Sequence, residues 1–169
     1  VAFGEYGRLS CEPPEPGTIR EMIHIGHEEG FAVMAHCNGT APAQAAIEAG
    51  VDSLEHGYYL NEETLHMLAE SDTVWVPTAV TVGNLVQDDR YPKDVTKRIL
   101  AEHLWKIGIV AGWGGNVALG SDAGAYLVPH VKGALDEYDL LKDELGEGTD
   151  SVLRTGEDLL RWRFGGLHG

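Results

Sequence analysis

His36, His56 and Asp122 each close a short apolar run, in Ala35-His36-Cys37-Asn38-Gly39, Leu54-Glu55-His56-Gly57 and Gly120-Ser121-Asp122-Ala123-Gly124. Runs of this kind read as β-strands. Two imidazoles and a carboxylate at strand ends are the ligand chemistry of a hydrolytic metal site, suited to Zn²⁺ or a similar divalent ion. Three protein ligands leave a coordination position for water, whose pKa falls towards about 7 on such an ion. An aspartate in the set can also take the water's proton and pass it to a leaving group. Plainer readings exist. A strand-end His is often a hydrogen-bonded structural residue, and an Asp before Ala-Gly is often a turn residue. Three such positions, each followed by a small residue, shift the balance towards a metal; spacing alone leaves both readings open.

The remaining histidines divide in two. His24, His27, His66 and His103 fall on helical stretches and read as plain surface residues. His130, after the Asp122 loop, and Tyr58, directly after His56-Gly57, sit on the presumed active face as candidate substrate contacts. Glu55 should point away from His56 by strand alternation and reads as structural. Gly112-Trp113-Gly114-Gly115 precedes a strand instead of opening a helix, so it is not a phosphate cradle.

The elements that must position these residues follow from the pattern. Thr18-x-x-Glu21 is a capping box ahead of a first helix, which Gly30 ends. Phe31–Ala35 is a continuous apolar run, as in a strand buried on both faces. A helix from Pro42 to Ala49, a strand from Val51 to Glu55 and a helix capped by Asn61, with Leu60 and Leu65 as a hydrophobic staple, come next. Strand Val74–Val76, a helix from Asp94 to Val110, strand Asn116–Leu119 and a helical tail from about Val131 to Phe164 complete the chain. Helix and strand alternate throughout, the pattern of an α/β fold with a parallel sheet. Within the tail, Arg161-Trp162-Arg163-Phe164 reads as an outer-helix packing segment.

The 27 acidic against 12 basic residues give a formal charge of -15, which would repel a nucleic acid. The apolar stretches are too short to span a bilayer. Cys11 and Cys37 are too few for a disulfide framework, and a reducing cytoplasm is the simpler expectation.

At Met34-Ala35-His36, Ala49-Gly50-Val51-Asp52-Ser53-Leu54-Glu55-His56-Gly57, Val76-Pro77-Thr78 and Ala118-Leu119-Gly120-Ser121-Asp122-Ala123-Gly124, the chain resembles the amidohydrolase superfamily. The similar branch is imidazolonepropionase-like and Xaa-Pro-dipeptidase-like. The resemblance implies a (β/α)8 TIM-type barrel. His36 would match the metal histidine of strand five, and His56 that of strand six. Asp122 would match the strand-eight aspartate that binds metal and moves protons. A divalent metal, Zn²⁺ first, and hydrolysis of an amide or cyclic-amide C–N bond are implied with it. Dipeptides, N-acyl amino acids and imidazolone-like rings are the small-molecule substrates of that reading.

The departures are as informative. The family's His-x-His pair is absent, and no Lys precedes Lys93 to serve on strand four. A full barrel takes about 250 residues. What the resemblance covers is strands five to eight, the C-terminal half, as a single partial barrel domain over residues 1–169. A fragment, a truncated product or half of a split enzyme would each fit, and Val1 in place of Met agrees with them. Open sheet edges and an uncovered interior would invite self-association or pairing with the missing N-terminal half. The alternative is a non-catalytic partial chain acting as an assembly or binding remnant. A complete small doubly wound binding domain is disfavoured, because no phosphate or dinucleotide loop is present.

Overall fold

The computed structural model describes residues 1–165 and opens with α1 (Pro16–Glu28) after an irregular N-terminal loop. Strands β1 (Met34–Cys37), β2 (Ser53–His56), β3 (Val74–Val76) and β4 (Asn116–Val117) form one parallel sheet in chain order. Helices α2 (Thr40–Glu48), α3 (Glu62–Glu70) and α5 (Lys93–Gly112) make the crossovers that parallel neighbours require. A short α4 (Val80–Gly83), which no pattern in the sequence announces, follows β3. After β4 come α6 (Lys132–Leu145) and α7 (Thr149–Phe164).

Local chemistry explains most boundaries. Pro16 occupies the first turn of α1, where its missing N–H costs nothing, so the helix starts ahead of the expected Thr18 box. Asn61 caps α3 as expected, its Oδ1 accepting from the Thr64 N–H at 3.0 Å. Leu60 and Leu65 are both buried. The first strand differs from its expected form. β1 begins only at Met34, and Phe31 is exposed. β1 hydrogen-bonds to β2 alone, so Met34 and His36 stay exposed where a central strand would cover them.

Register sorts the side chains into two faces. The row Ala35–Leu54–Trp75–Val117 faces the main core, against Ile23 of α1, Ala46 and Ile47 of α2, Leu65 and Leu68 of α3, and Ile107 and Val110 of α5. The next row, His36–Glu55–Val76, faces the other way. That second face is not left bare. Leu159 and Leu160 of α7 pack on Val74, Val76 and Ala118. Arg163 donates to the backbone carbonyls of Asp52 and Asp72, at the entry ends of β2 and β3. The tail therefore grips the sheet itself through Arg163, which differs from the outer-helix role expected of Arg161–Phe164, while Arg161 and Trp162 in that segment are exposed. Cys11 and Cys37 are both free thiols. No helix among the described residues is long and apolar enough to cross a membrane.

Gly156 sets how closely α7 can lie on β4. A Cβ there would collide with the Val117 carbonyl oxygen and stand 2.9 Å from the Ala118 Cβ. Gly156→Ala should therefore lower the thermal unfolding midpoint, because overpacking of about 1–3 kcal/mol outweighs the helix-propensity gain of about 1 kcal/mol. A raised midpoint in calorimetry, the usual result for an exposed helical glycine, would contradict this packing.

Candidate functional site

The carboxyl ends of the strands carry the polar residues. His36 lies in β1, His56 ends β2, and Asp122 follows β4. Alternation alone would separate the two histidines, because His36 is in register with Glu55 and Cys37 with His56. The backbone at His56 breaks that alternation with φ 69°, a left-handed conformation uncommon for a residue with a Cβ. The His36 and His56 rings consequently meet edge to face, 4.2 Å between centroids. Thr78 (φ 50°) and Asp122 (φ 54°) are left-handed too. Each such residue costs about 1–3 kcal/mol, and strain of this kind gathers at functional sites.

Three contacts hold the His56 turn. Gly57 is at φ 69° and approaches the Trp75 indole so closely that a Cβ would lie 2.6 Å from its Nε1. Trp75 Nε1–H donates to the His56 carbonyl at 2.9 Å, and Gly57 N–H donates to the Cys37 carbonyl at 2.9 Å.

His56 itself is buried, and its Nδ1 is 2.7 Å from Thr78 Oγ1. Nε2 makes no hydrogen bond among the described residues and is the nitrogen left for the cleft. Burial, with the nearby His36 ring second, lowers the His56 pKa to about 4, so the imidazole is neutral over the physiological range. A neutral ring fixed through its second nitrogen is what a metal-ligating histidine needs. Behind it, the Thr78 carbonyl accepts from Thr81 Oγ1 at 2.9 Å and from the Tyr58 hydroxyl at 3.2 Å. His103 donates from Nε2 to the Pro77 carbonyl at 2.9 Å and stacks on Tyr58, 4.1 Å between centroids. Glu137, fully buried on α6, accepts from the Ala79 N–H at 3.0 Å and the Val80 N–H at 2.6 Å. Burial pushes its carboxyl up to about 7, against the pull of those two donors.

A cleft of about 180 Å³ opens at these strand ends, and His36, His56 and Asp122 all line it, with Asn38, Thr81 and Tyr126 among its other walls. The three sequence-nominated ligands thus reach one cavity. They do not close on one another: among the described residues, no group of three His, Cys, Asp or Glu side chains is gathered tightly enough to hold an ion. His36 and Asp122 are exposed, while His56 is fixed. In donor chemistry the set fits a divalent ion. Tyr58 lines the cleft but is 2% exposed, with its hydroxyl engaged at Thr78 and Thr81. His130 is exposed and is not among the cleft walls.

Of the four helical histidines, His103 departs from the surface role expected of it, while His24, His27 and His66 are exposed. His103 is buried in the network described above. His66 stacks on Trp113 at 4.0 Å, and His27 Nε2 lies 2.8 Å from an Asp52 carboxylate oxygen. His24 behaves as expected, exposed and paired with Glu28. Glu55, set aside from the sequence, shares the His36 face, accepts from Ser53 Oγ, and has its carboxyl pKa raised by burial and by the Asp122 charge.

No family model matches the chain. An uncharacterized protein of Mycobacterium tuberculosis (strain H37Rv) is 28% identical over 113 residues, 63% of this chain and 30% of that protein. Ochratoxinase of Aspergillus niger is 33% identical over 63 residues, 37% of this chain and 13% of its own length. Its crystal structure superposes with a TM-score of 0.68 at 21% identity, covering 86% of this chain and 34% of that one. A candidate prolidase from Bifidobacterium longum gives a TM-score of 0.77 at 18% identity, over 98% of this chain and 43% of that chain. A Xaa-Pro dipeptidase with methionine in its active site gives 0.71 at 20% identity, over 87% and 38%. The chain spans less than half the length of each.

His103 makes a pH prediction. Burial lowers its pKa to about 4, against about 6.5 in the unfolded chain. The unfolded state therefore takes up this proton first as the pH falls, and the folded state loses stability from about pH 6.5 down to about pH 4. Against His103→Gln, which can still donate to Pro77, wild type should lose on the order of 2–3 kcal/mol over that window in denaturant titrations. Parallel curves for the two proteins would show that His103 is charged or solvated in the fold. Above that network, the parallel sheet shares its fold with part of the prolidase and ochratoxinase structures.

Proposed function

We propose that the chain supplies strands five to eight, the C-terminal half, of a (β/α)8 amidohydrolase barrel, and with them part of a divalent-metal site for C–N bond hydrolysis. The observation that carries this reading is the meeting of His36, His56 and Asp122 at one cleft from three different strand ends. His36 and His56 would hold the ion through ring nitrogens, and Asp122 through its carboxylate. Such an ion, preferably Zn²⁺, would polarise the scissile carbonyl and lower the pKa of the attacking water.

The chain's own residues supply the rest. Thr78 fixes the His56 ring and leaves Nε2 for the cleft. Asp122, exposed at the mouth, takes a proton from water and returns it to the leaving nitrogen. Glu55 adds a second carboxyl on the His36 face. Tyr58, whose ring lines the cleft, is the candidate substrate contact, while His130 lies outside the cleft walls. Dipeptides, N-acyl amino acids and imidazolone-like rings are the substrate classes of this reading. The strand-one and strand-four ligands of the family have no counterpart here, so efficient turnover awaits the other half.

One observation favours a second reading. α7 already packs on Val74, Val76 and Ala118, part of the face that a completed barrel would enclose. A chain that covers its own sheet in this way suits a non-catalytic remnant that works through assembly.

Metal content separates the two. Elemental analysis of the purified chain should find about one zinc or similar ion per chain, lost in both His56→Ala and Asp122→Ala. Metal absent from all three proteins, or retained in both variants, would leave the remnant reading standing.

A further inference from the structure

We infer that Glu137 is a positioning residue for His56, acting through the Thr78 turn although it touches neither the cleft nor the histidine. Its carboxylate is fully buried, and its two oxygens accept from the successive backbone N–H groups of Ala79 and Val80, at 3.0 and 2.6 Å. Those are the two peptides directly after Thr78. Thr78 is left-handed at φ 50°, and its hydroxyl is the partner of His56 Nδ1 at 2.7 Å. A threonine does not hold that backbone by itself, since β-branched residues are genuine outliers there. Contacts on both sides hold it. Tyr58 and Thr81 donate to its carbonyl, and His103 donates to the carbonyl of Pro77 just before it. Glu137 secures the following side and is the only carboxyl in the set.

A purely architectural role would be met more simply. Leu141, one turn further along the same helix and fully buried, already anchors α6 in the main core. A buried carboxylate is an expensive way to anchor a helix, and it persists where a specific backbone geometry needs two donors satisfied at once. Here that geometry fixes which nitrogen of His56 faces the cleft. The inference deepens the reading of His56 as a site residue and does not require that a metal be bound.

The test reads the His56 ring in the metal-free full chain. Long-range ¹H–¹⁵N correlation NMR distinguishes a single neutral tautomer from a mixture, with the His56 signals assigned by their loss in His56→Gln. Wild type should show a single tautomer, held by the contact of Nδ1 with Thr78. Glu137→Gln fills the same space but turns an NH₂ towards one of the two N–H donors. It should give averaged shifts for the two His56 ring nitrogens, the mark of a freed imidazole. Leu141→Ala, a cavity on the same helix, should keep the wild-type pattern at any temperature where it is folded. An unchanged His56 pattern in Glu137→Gln, or an equal change in Leu141→Ala, would overturn the inference. Because no metal is involved, a chain that binds no zinc can still pass this test, and one that binds zinc can still fail it.

Discussion

The left-handed turn at His56 is the constraint on which the site depends. In a parallel sheet, successive side chains point to opposite faces, and register pairs His36 with Glu55 and Cys37 with His56. Continued as regular strand, β2 would send the His56 ring into the main core beside Cys37. The turn at φ 69° carries it to the His36 side, where the two rings stand 4.2 Å apart. Gly57 and the Trp75 indole hold the turn from below, and Thr78 holds the ring from the side.

That arrangement is costly, and the surrounding network offsets the cost. Left-handed residues at His56, Thr78 and Asp122 each cost about 1–3 kcal/mol. Hydrogen bonds to charged groups contribute about 1.5–3 kcal/mol, and ordinary ones about 1 kcal/mol. The two bonds to Glu137, with those from Tyr58, Thr81 and His103, are of the size needed to hold Thr78 in place. Among the described residues, Asp122 has no comparable support. It lies on an exposed loop tied to the body through the Asn84 side chain, which donates to the Leu127 carbonyl at 2.7 Å. A fixed histidine, an exposed histidine and an exposed carboxylate make a site whose ligands line one cleft without being drawn together.

Much of this was legible in the sequence, for a physical reason. Strand ends in parallel folds are where side chains meet ligands, so chemically competent residues closing apolar runs mark the site directly, as His36, His56 and Asp122 do. The crossovers were legible from periodicity and from the Asn61 cap. The supporting residues were not. Glu137 lies far along the chain from Thr78, and on a polar helix its buried role leaves no local signal. His103 reads as a surface residue because it falls on a helical stretch, yet its ring turns inward to Pro77 and Tyr58. Glu55 was set aside by an alternation rule that holds as far as Glu55 itself and fails one residue later. The grip of α7 on the sheet depends on Gly156, and a glycine in a helical pattern does not show what it lies against.

The most direct test of the central claim is anomalous diffraction at the zinc edge from crystals of the chain grown with Zn²⁺. The account predicts one strong peak in the cleft, about 2.0–2.2 Å from a ring nitrogen of His36, a ring nitrogen of His56 and a carboxylate oxygen of Asp122. An empty cleft, with zinc only at surface groups such as His24 and Glu28, would contradict it.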